Sequence, residues 1–212
     1  KLRQLATEDR DPSVQIAAIF ALHRLGDTSL SRDLEKTARS DVARTRGDTA
    51  MVLGLLEEPT ALNVLRPMRG DPDPAVRLQV AEAMWKLGDA SAMKPLVAGT
   101  VSRYPDDQMI ALMGLAEGGE RQVIEHLRGT LTTDYEAVNL VAARAMGLLG
   151  SDEGYGVALK GAKSNDPRLR LLAALAMGAI GRSDAQDELA ILVRDTDPNV
   201  RLAAAAGILQ LK

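Results

Sequence analysis

The chain has 212 residues, a formal net charge of −3 and no cysteine. Without cysteine there is no disulfide framework and no thiolate metal site, and the compartment stays open; the acidic balance makes nucleic acid an unlikely main partner. Hydrophobic residues are 46% of the chain but aromatics only 2%, so the core must be Ala, Leu, Val and Met; no apolar run is long enough to span a bilayer, and no signal peptide is present in this stretch.

In chain order, Lys1 to Arg10 reads as the tail of a helix. Asp11-Pro-Ser-Val then opens another, with Asp as the N-cap that accepts from a first-turn amide and Pro at the first helical position, where a missing N–H costs nothing. The same opening returns at Asp73-Pro-Ala-Val, Asp166-Pro-Arg-Leu and Asp197-Pro-Asn-Val. After Asp73, the residues Val76, Val80, Ala83, Met84 and Leu87 share one helical arc, and Gly88 stops the helix. The separations between the four openings are multiples of 31. A period of that size marks an array in which each unit buries its face against its neighbours.

The register holds through seven copies. One core column reads Val14, Thr45, Val76, Asp107, Val138, Leu169, Val200, and a small-residue column reads Ala21, Val52, Ala83, Gly114, Ala145, Ala176, Gly207. The small column predicts close approach between helices. First helices are expected near 12–25, 43–56, 74–87, 105–117, 136–149, 167–180 and 198–211. A second amphipathic segment follows each turn, near 28–39, 59–69, 90–102, 120–131, 153–164 and 184–194. The chain therefore reads as one continuous solenoid over 1–212. It ends on a fully apolar first helix with no second helix after it, which suggests a piece of a longer protein.

The recurring string Asp-Pro-x-Val-Arg-x-x-Ala-Ala-x-Ala-Leu-x-x-Leu-Gly-Asp resembles the short bacterial HEAT repeat, the phycobilisome-lyase HEAT-like type. The resemblance covers essentially the whole chain. It implies an all-α fold, an α-α superhelix of about seven 31-residue helix pairs, with the first helices convex and the second helices concave. It also implies a scaffold: no enzyme, no cofactor, and a protein or peptide partner bound along the concave face. The alternative it implies is a bilin lyase-like subunit that binds a tetrapyrrole and a phycobiliprotein.

Gly156-Val-Ala-Leu-Lys-Gly-Ala-Lys163-Ser164 is close to a phosphate-binding loop, but one residue too long and without a preceding strand. The HEAT-like deoxyhypusine hydroxylases hold two irons with repeated His-Glu pairs; here Glu125-His126 is a single pair in reverse order, and His23 is the one other histidine. No metal site is expected. Acidic pairs such as Asp106-Asp107 and Glu57-Glu58 fit helix starts, where carboxylates oppose the dipole. Neither a nucleophile–base set nor the basic, aromatic groove of a base-flipping glycosylase can be assembled.

Two sets of residues remain. The motif Asp and Arg suggest a structural ladder between stacked repeats, with Asp73, Arg77, Asp166, Arg170, Asp197 and Arg201 as its members. In particular, Arg201 is expected on Asp166 or Asp197, and Arg170 on Asp166 or a carboxylate of the neighbouring repeat. The second helices carry a mainly basic ridge of Arg32, Lys36, Arg39, Arg66, Arg69, Lys94 and Arg128, the candidate partner surface. The repeat from Tyr104 to Thr133 departs most from the pattern, with Tyr104, Asp107, Gly114 and Gly118 in place of Asp, Val, Ala and Leu. Its first helix is expected to be short, to start late and to form the weakest joint.

Overall fold

The structure, a computed structural model, describes residues 1–119 and 121–211. The described residues are helical with no strand. A first helix, α1, spans Leu2–Glu8, and the seven first helices of the repeats are α2 (Pro12–Arg24), α4 (Ala43–Leu55), α6 (Pro74–Lys86), α8 (Pro105–Glu117), α10 (Glu136–Leu148), α12 (Pro167–Ile180) and α14 (Pro198–Ile208). The second helices are shorter: α3 (Asp33–Thr37), α5 (Leu62–Met68), α7 (Met93–Gly99), α9 (Ile124–Arg128), α11 (Tyr155–Ala162) and α13 (Gln186–Leu192). All except α3 and α11 are entered through a 3-10 turn. The chain divides within α7 into two compact units, Lys1–Leu96 and the residues from Val97 onward.

The motif residues do the local work expected of them. Asp11, Asp73, Asp166 and Asp197 each accept from amides of the first turn, with Pro in the first position. Where the helix ends, the same closing pattern recurs. The Asp27 amide donates to the Leu22 carbonyl and Gly26 donates to His23, which satisfies the carbonyls of the last turn; Asp89 and Gly88 repeat this on Met84 and Trp85. The closure needs a left-handed residue, and Gly26, Gly88, Gly119, Gly150 and Gly181 supply it with φ between 71° and 88°. In the second repeat that position is Glu57, at φ 56°. Glu57 therefore does not belong to a helix start, as its pairing with Glu58 suggested; it sits past the end of α4.

Small residues bring helices close, as the sequence predicts. In the first unit a Cβ on Gly54 would stand 2.8 Å from the Ala83 Cα, and in the second a Cβ on Gly178 would stand 2.6 Å from the Gly207 Cα. Met84, Leu65 and Leu34 are buried in the first unit, and Met146, Met177, Leu127 and Leu189 in the second.

The fourth repeat corrects an expectation. Helix α8 starts at Pro105, in register with Pro12 and Pro74, and runs 13 residues, as α4 and α6 do. It is neither short nor late. Proline fixes the first helical φ without the Asp cap, and Asp107 is tolerated because it is only half-buried and accepts from Ser102 Oγ at 2.8 Å.

Candidate functional site

The motif Arg was expected on the N-cap Asp. The structure places it elsewhere. Arg46, Arg77, Arg170 and Arg201 each send Nη1 back to a carbonyl six residues earlier, on Ser40, Asp71, Ser164 and Asp195 respectively, at 2.7 to 3.0 Å. Gln15, Gln108 and Asn139 make the same bond with their amides, to Asp9, Ser102 and Thr133. Their loss of charge therefore leaves this clasp intact in every repeat. The residue clasped also caps: the side chains of Asp9, Ser40, Asp71, Ser102, Thr133, Ser164 and Asp195 accept from the amide two residues on.

The link between repeats runs through this capping residue. Arg46 donates through Nε and Nη2 to Asp71 at 2.6 and 2.8 Å, and Arg170 does the same to Asp195 at 2.6 and 2.9 Å. Arg170 thus finds a carboxylate of the neighbouring repeat, one of the two partners expected for it. Arg201 does not meet Asp166 or Asp197; it bonds the carbonyls of Asp195 and Thr196. Asp73, Asp166 and Asp197 are instead engaged by the amides of their own helices. The bidentate Arg46 contact holds the buried Asp71 carboxyl below the usual carboxylate range, and Arg170 lowers Asp195 to about 2.

All seven ridge residues are exposed, but they are of two kinds. Arg66 reaches Asp89 at 3.1 Å, Lys36 reaches Asp33 at 2.6 Å, and Arg128 is held between Glu153 at 2.7 Å and Glu125 at 2.5 Å. Arg128 in turn holds the Glu153 carboxyl below its ordinary value. Arg32, Arg39, Arg69 and Lys94 have no ion pair among the described residues. All four lie in the first unit.

The remaining candidates resolve simply. Gly156 to Lys163 is helix α11 and its C-cap, with Ser164 just beyond, so the stretch makes no phosphate-binding loop. His23 Nε2 lies 2.8 Å from Glu58 Oε1, and among the described residues no three His, Asp or Glu side chains gather as a metal would require. The described residues do not fit a di-iron centre. No helix among the described residues is long and apolar enough to cross a membrane. Sequence reasoning missed a groove of about 690 Å³ in the second unit, between the turn Gly129–Thr132 and α11. From α11 its lining includes the two glycines Gly156 and Gly161, visible in the sequence as small residues in a second helix.

Helix pairs closed by Gly, opened by Asp-Pro and repeated every 31 residues match the family described as HEAT repeats over residues 1–71, 33–103 and 157–212. The chain belongs to the HEAT-repeat family. Among solved structures, the complex of CpcE and CpcF of phycocyanin lyase from Nostoc sp. PCC7120 superposes with a TM-score of 0.71 at 23% identity, over 99% of this chain and 87% of that one. This likeness is one of fold, a HEAT-repeat solenoid. Among curated proteins, deoxyhypusine hydroxylase of Drosophila pseudoobscura pseudoobscura is 31% identical over 91 residues, 42% of this chain. The match spans 30% of that protein's length.

These findings overturn one expectation from the sequence. The named proteins are a lyase and a hydroxylase, both enzymes, so the reading of this chain as not an enzyme conflicts with them and falls. The physical reason is that a repeat fold fixes packing, while chemistry resides in a few residues grafted onto it.

Proposed function

We propose that the chain binds a protein or peptide partner along the face formed by its second helices, with the unpaired cations of the first unit as the contact that selects an acidic partner. The observation that carries this reading is the set Arg32, Arg39, Arg69 and Lys94, exposed and without an ion pair among the described residues. Arg32 and Lys94 occupy the same position two repeats apart. A charge already satisfied by its own fold, as on Arg128, contributes little to a partner; an unsatisfied one steers association and is screened by salt. Replacing Arg32, Arg39 and Arg69 together by Glu should release the partner captured by the wild-type chain from an extract of the source cell, with the melting temperature little changed. Capture that persists with the variant, and that does not weaken with added salt, would sink this reading.

A second reading is favoured by the likeness to the CpcE–CpcF complex, which extends over nearly the whole of both chains. In it the chain is a lyase-like subunit that handles a bilin together with the protein that receives it. An absorbance shift on adding a bilin to the chain supports this reading, and an unchanged spectrum argues against it.

A further inference from the structure

The second unit holds a site that neither reading uses. In the five other second helices the core residue at this position is Leu34, Leu65, Leu96, Leu127 or Leu189; in α11 it is Ala158. Gly154 and Gly161 flank it, and both are pressed against the first helices. A Cβ on Gly154 would stand 2.5 Å from the Ala143 Cα, and one on Gly161 would stand 2.6 Å from Leu140 Cδ2. The small side chains let α11 lie close to its own layer, and a groove of about 690 Å³ is left beside the turn Gly129–Thr132. A volume of that size is ordinary for a small-molecule site.

The lining has two characters. Leu131, Leu140, Val157 and Leu169 give it an apolar wall. At one side stand Lys160, Lys163 and Glu136. Lys160 Nζ is 3.4 Å from Glu136 Oε1 with both side chains mostly in solvent, a weak pair that a ligand can replace. Lys163 has no ion pair among the described residues. The three side chains leave one net positive charge. Lys163 is also the C-cap of α11, whose partial negative charge opposes any anion, a monoanion less than a dianion such as phosphate.

We propose that this groove binds a small amphiphile with an apolar body and a single carboxylate, the body against the leucines and the carboxylate on Lys160 and Lys163. The groove shares no residue with the basic face of the first unit.

The test is isothermal titration of the whole chain with decanoate below its micelle concentration, with decanol and decyltrimethylammonium as uncharged and cationic counterparts. One decanoate should bind per chain, more tightly than either counterpart. Gly156 lines the groove, and a Cβ there meets nothing within 4 Å, so Gly156→Leu should fill the site and abolish binding without disturbing the fold. Lys160→Gln with Lys163→Gln touches no core residue. It should weaken decanoate about tenfold, as loss of a charge-assisted bond does, while leaving decanol unchanged. Glu136→Gln should tighten decanoate. Absence of decanoate binding, binding that survives Gly156→Leu, or equal binding of decyltrimethylammonium would each overturn the proposal.

Discussion

Asp195 stands 25 residues after Arg170, yet its two carboxylate oxygens take Nε and Nη2 of that arginine at 2.6 and 2.9 Å. The same carboxylate accepts from the Asp197 amide at 2.9 Å, and so holds the turn that opens α14. One side chain thus fixes the start of its own helix and joins it to the repeat before. Arg46 and Asp71 do the same in the first unit. The link appears where an Arg is followed 25 residues later by an Asp; Arg77 meets Ser102 at that spacing and keeps only its carbonyl bonds.

Asp195→Asn should lower the denaturation midpoint, and Asp71→Asn should do so as well, because each leaves a largely buried guanidinium without its counter-charge. Arg201→Gln should cost much less, since Gln can keep the carbonyl bond as Gln15 and Gln108 do. Acid has a defined sign here. The folded carboxyl of Asp195 is lowered from 3.8 to about 2. Its contribution is complete above the ordinary carboxylate value and is lost as pH falls through the folded one. Stability measured from pH 5 down to pH 2 should therefore fall less steeply in Asp195→Asn than in the wild type. Equal slopes would show that the pair does not contribute.

Much of this fold was legible before any coordinates. Asp-Pro, the apolar arc and the closing Gly are local signals, and each fixes a helix end by chemistry within a few residues. The ends of α6 and α12 follow directly from them. The partner of Arg170 was not legible to the same degree. The position two before the N-cap reads Asp, Ser, Asp, Ser, Thr, Ser, Asp. Those types share only a short acceptor, and their role appears once the turn geometry is seen. The groove beside α11 was hidden for another reason. Replacing Leu by Ala in a core column can leave a cavity or draw a helix inward, and which occurs depends on how well the surroundings close. Gly154 and Gly161 decide it here.

Glu57 invites a stabilising change. It is the one described non-glycine residue at positive φ, in a position where five other repeats place Gly. A side chain in the left-handed region costs roughly 1 kcal/mol. Glu57→Gly should relieve that strain and raise unfolding free energy by about 1 kcal/mol in urea denaturation, less whatever backbone entropy glycine adds to the unfolded chain. A loss of stability would mean that the Glu57 side chain offsets the strain by a contact of its own.

Glycines in helices should divide sharply by what surrounds them. Gly178→Ala drives a methyl group to within 2.6 Å of the Gly207 backbone, where nothing can turn aside, and overpacking of this kind costs about 1–3 kcal/mol. Gly156→Ala meets open space and should gain up to about 1 kcal/mol from helix propensity alone. Opposite signs in thermal denaturation are the expected result; the same sign for both would contradict the packing described here.

The fourth repeat remains the place to look for local opening, although its first helix is in register and of full length. Asp107 takes a position held elsewhere by Val138 and Val200, which are fully buried; Asp107 itself is only half-buried, on Ser102. Gly114 removes packing and weakens α8 by about 1 kcal/mol relative to Ala, and Gly118, at the C-cap, lacks the Leu side chain that other repeats place there. In a repeat array, local stability follows the repeat and its interfaces. Buried amides between Asp106 and Gly119 should therefore exchange with deuterium about tenfold faster than those of 167–180. Gly114→Ala tests the cause: if the methyl group is accommodated it should slow exchange across α8 while leaving α12 unchanged. Exchange in α8 as slow as in α12 in the unaltered chain would remove the basis for a weak joint.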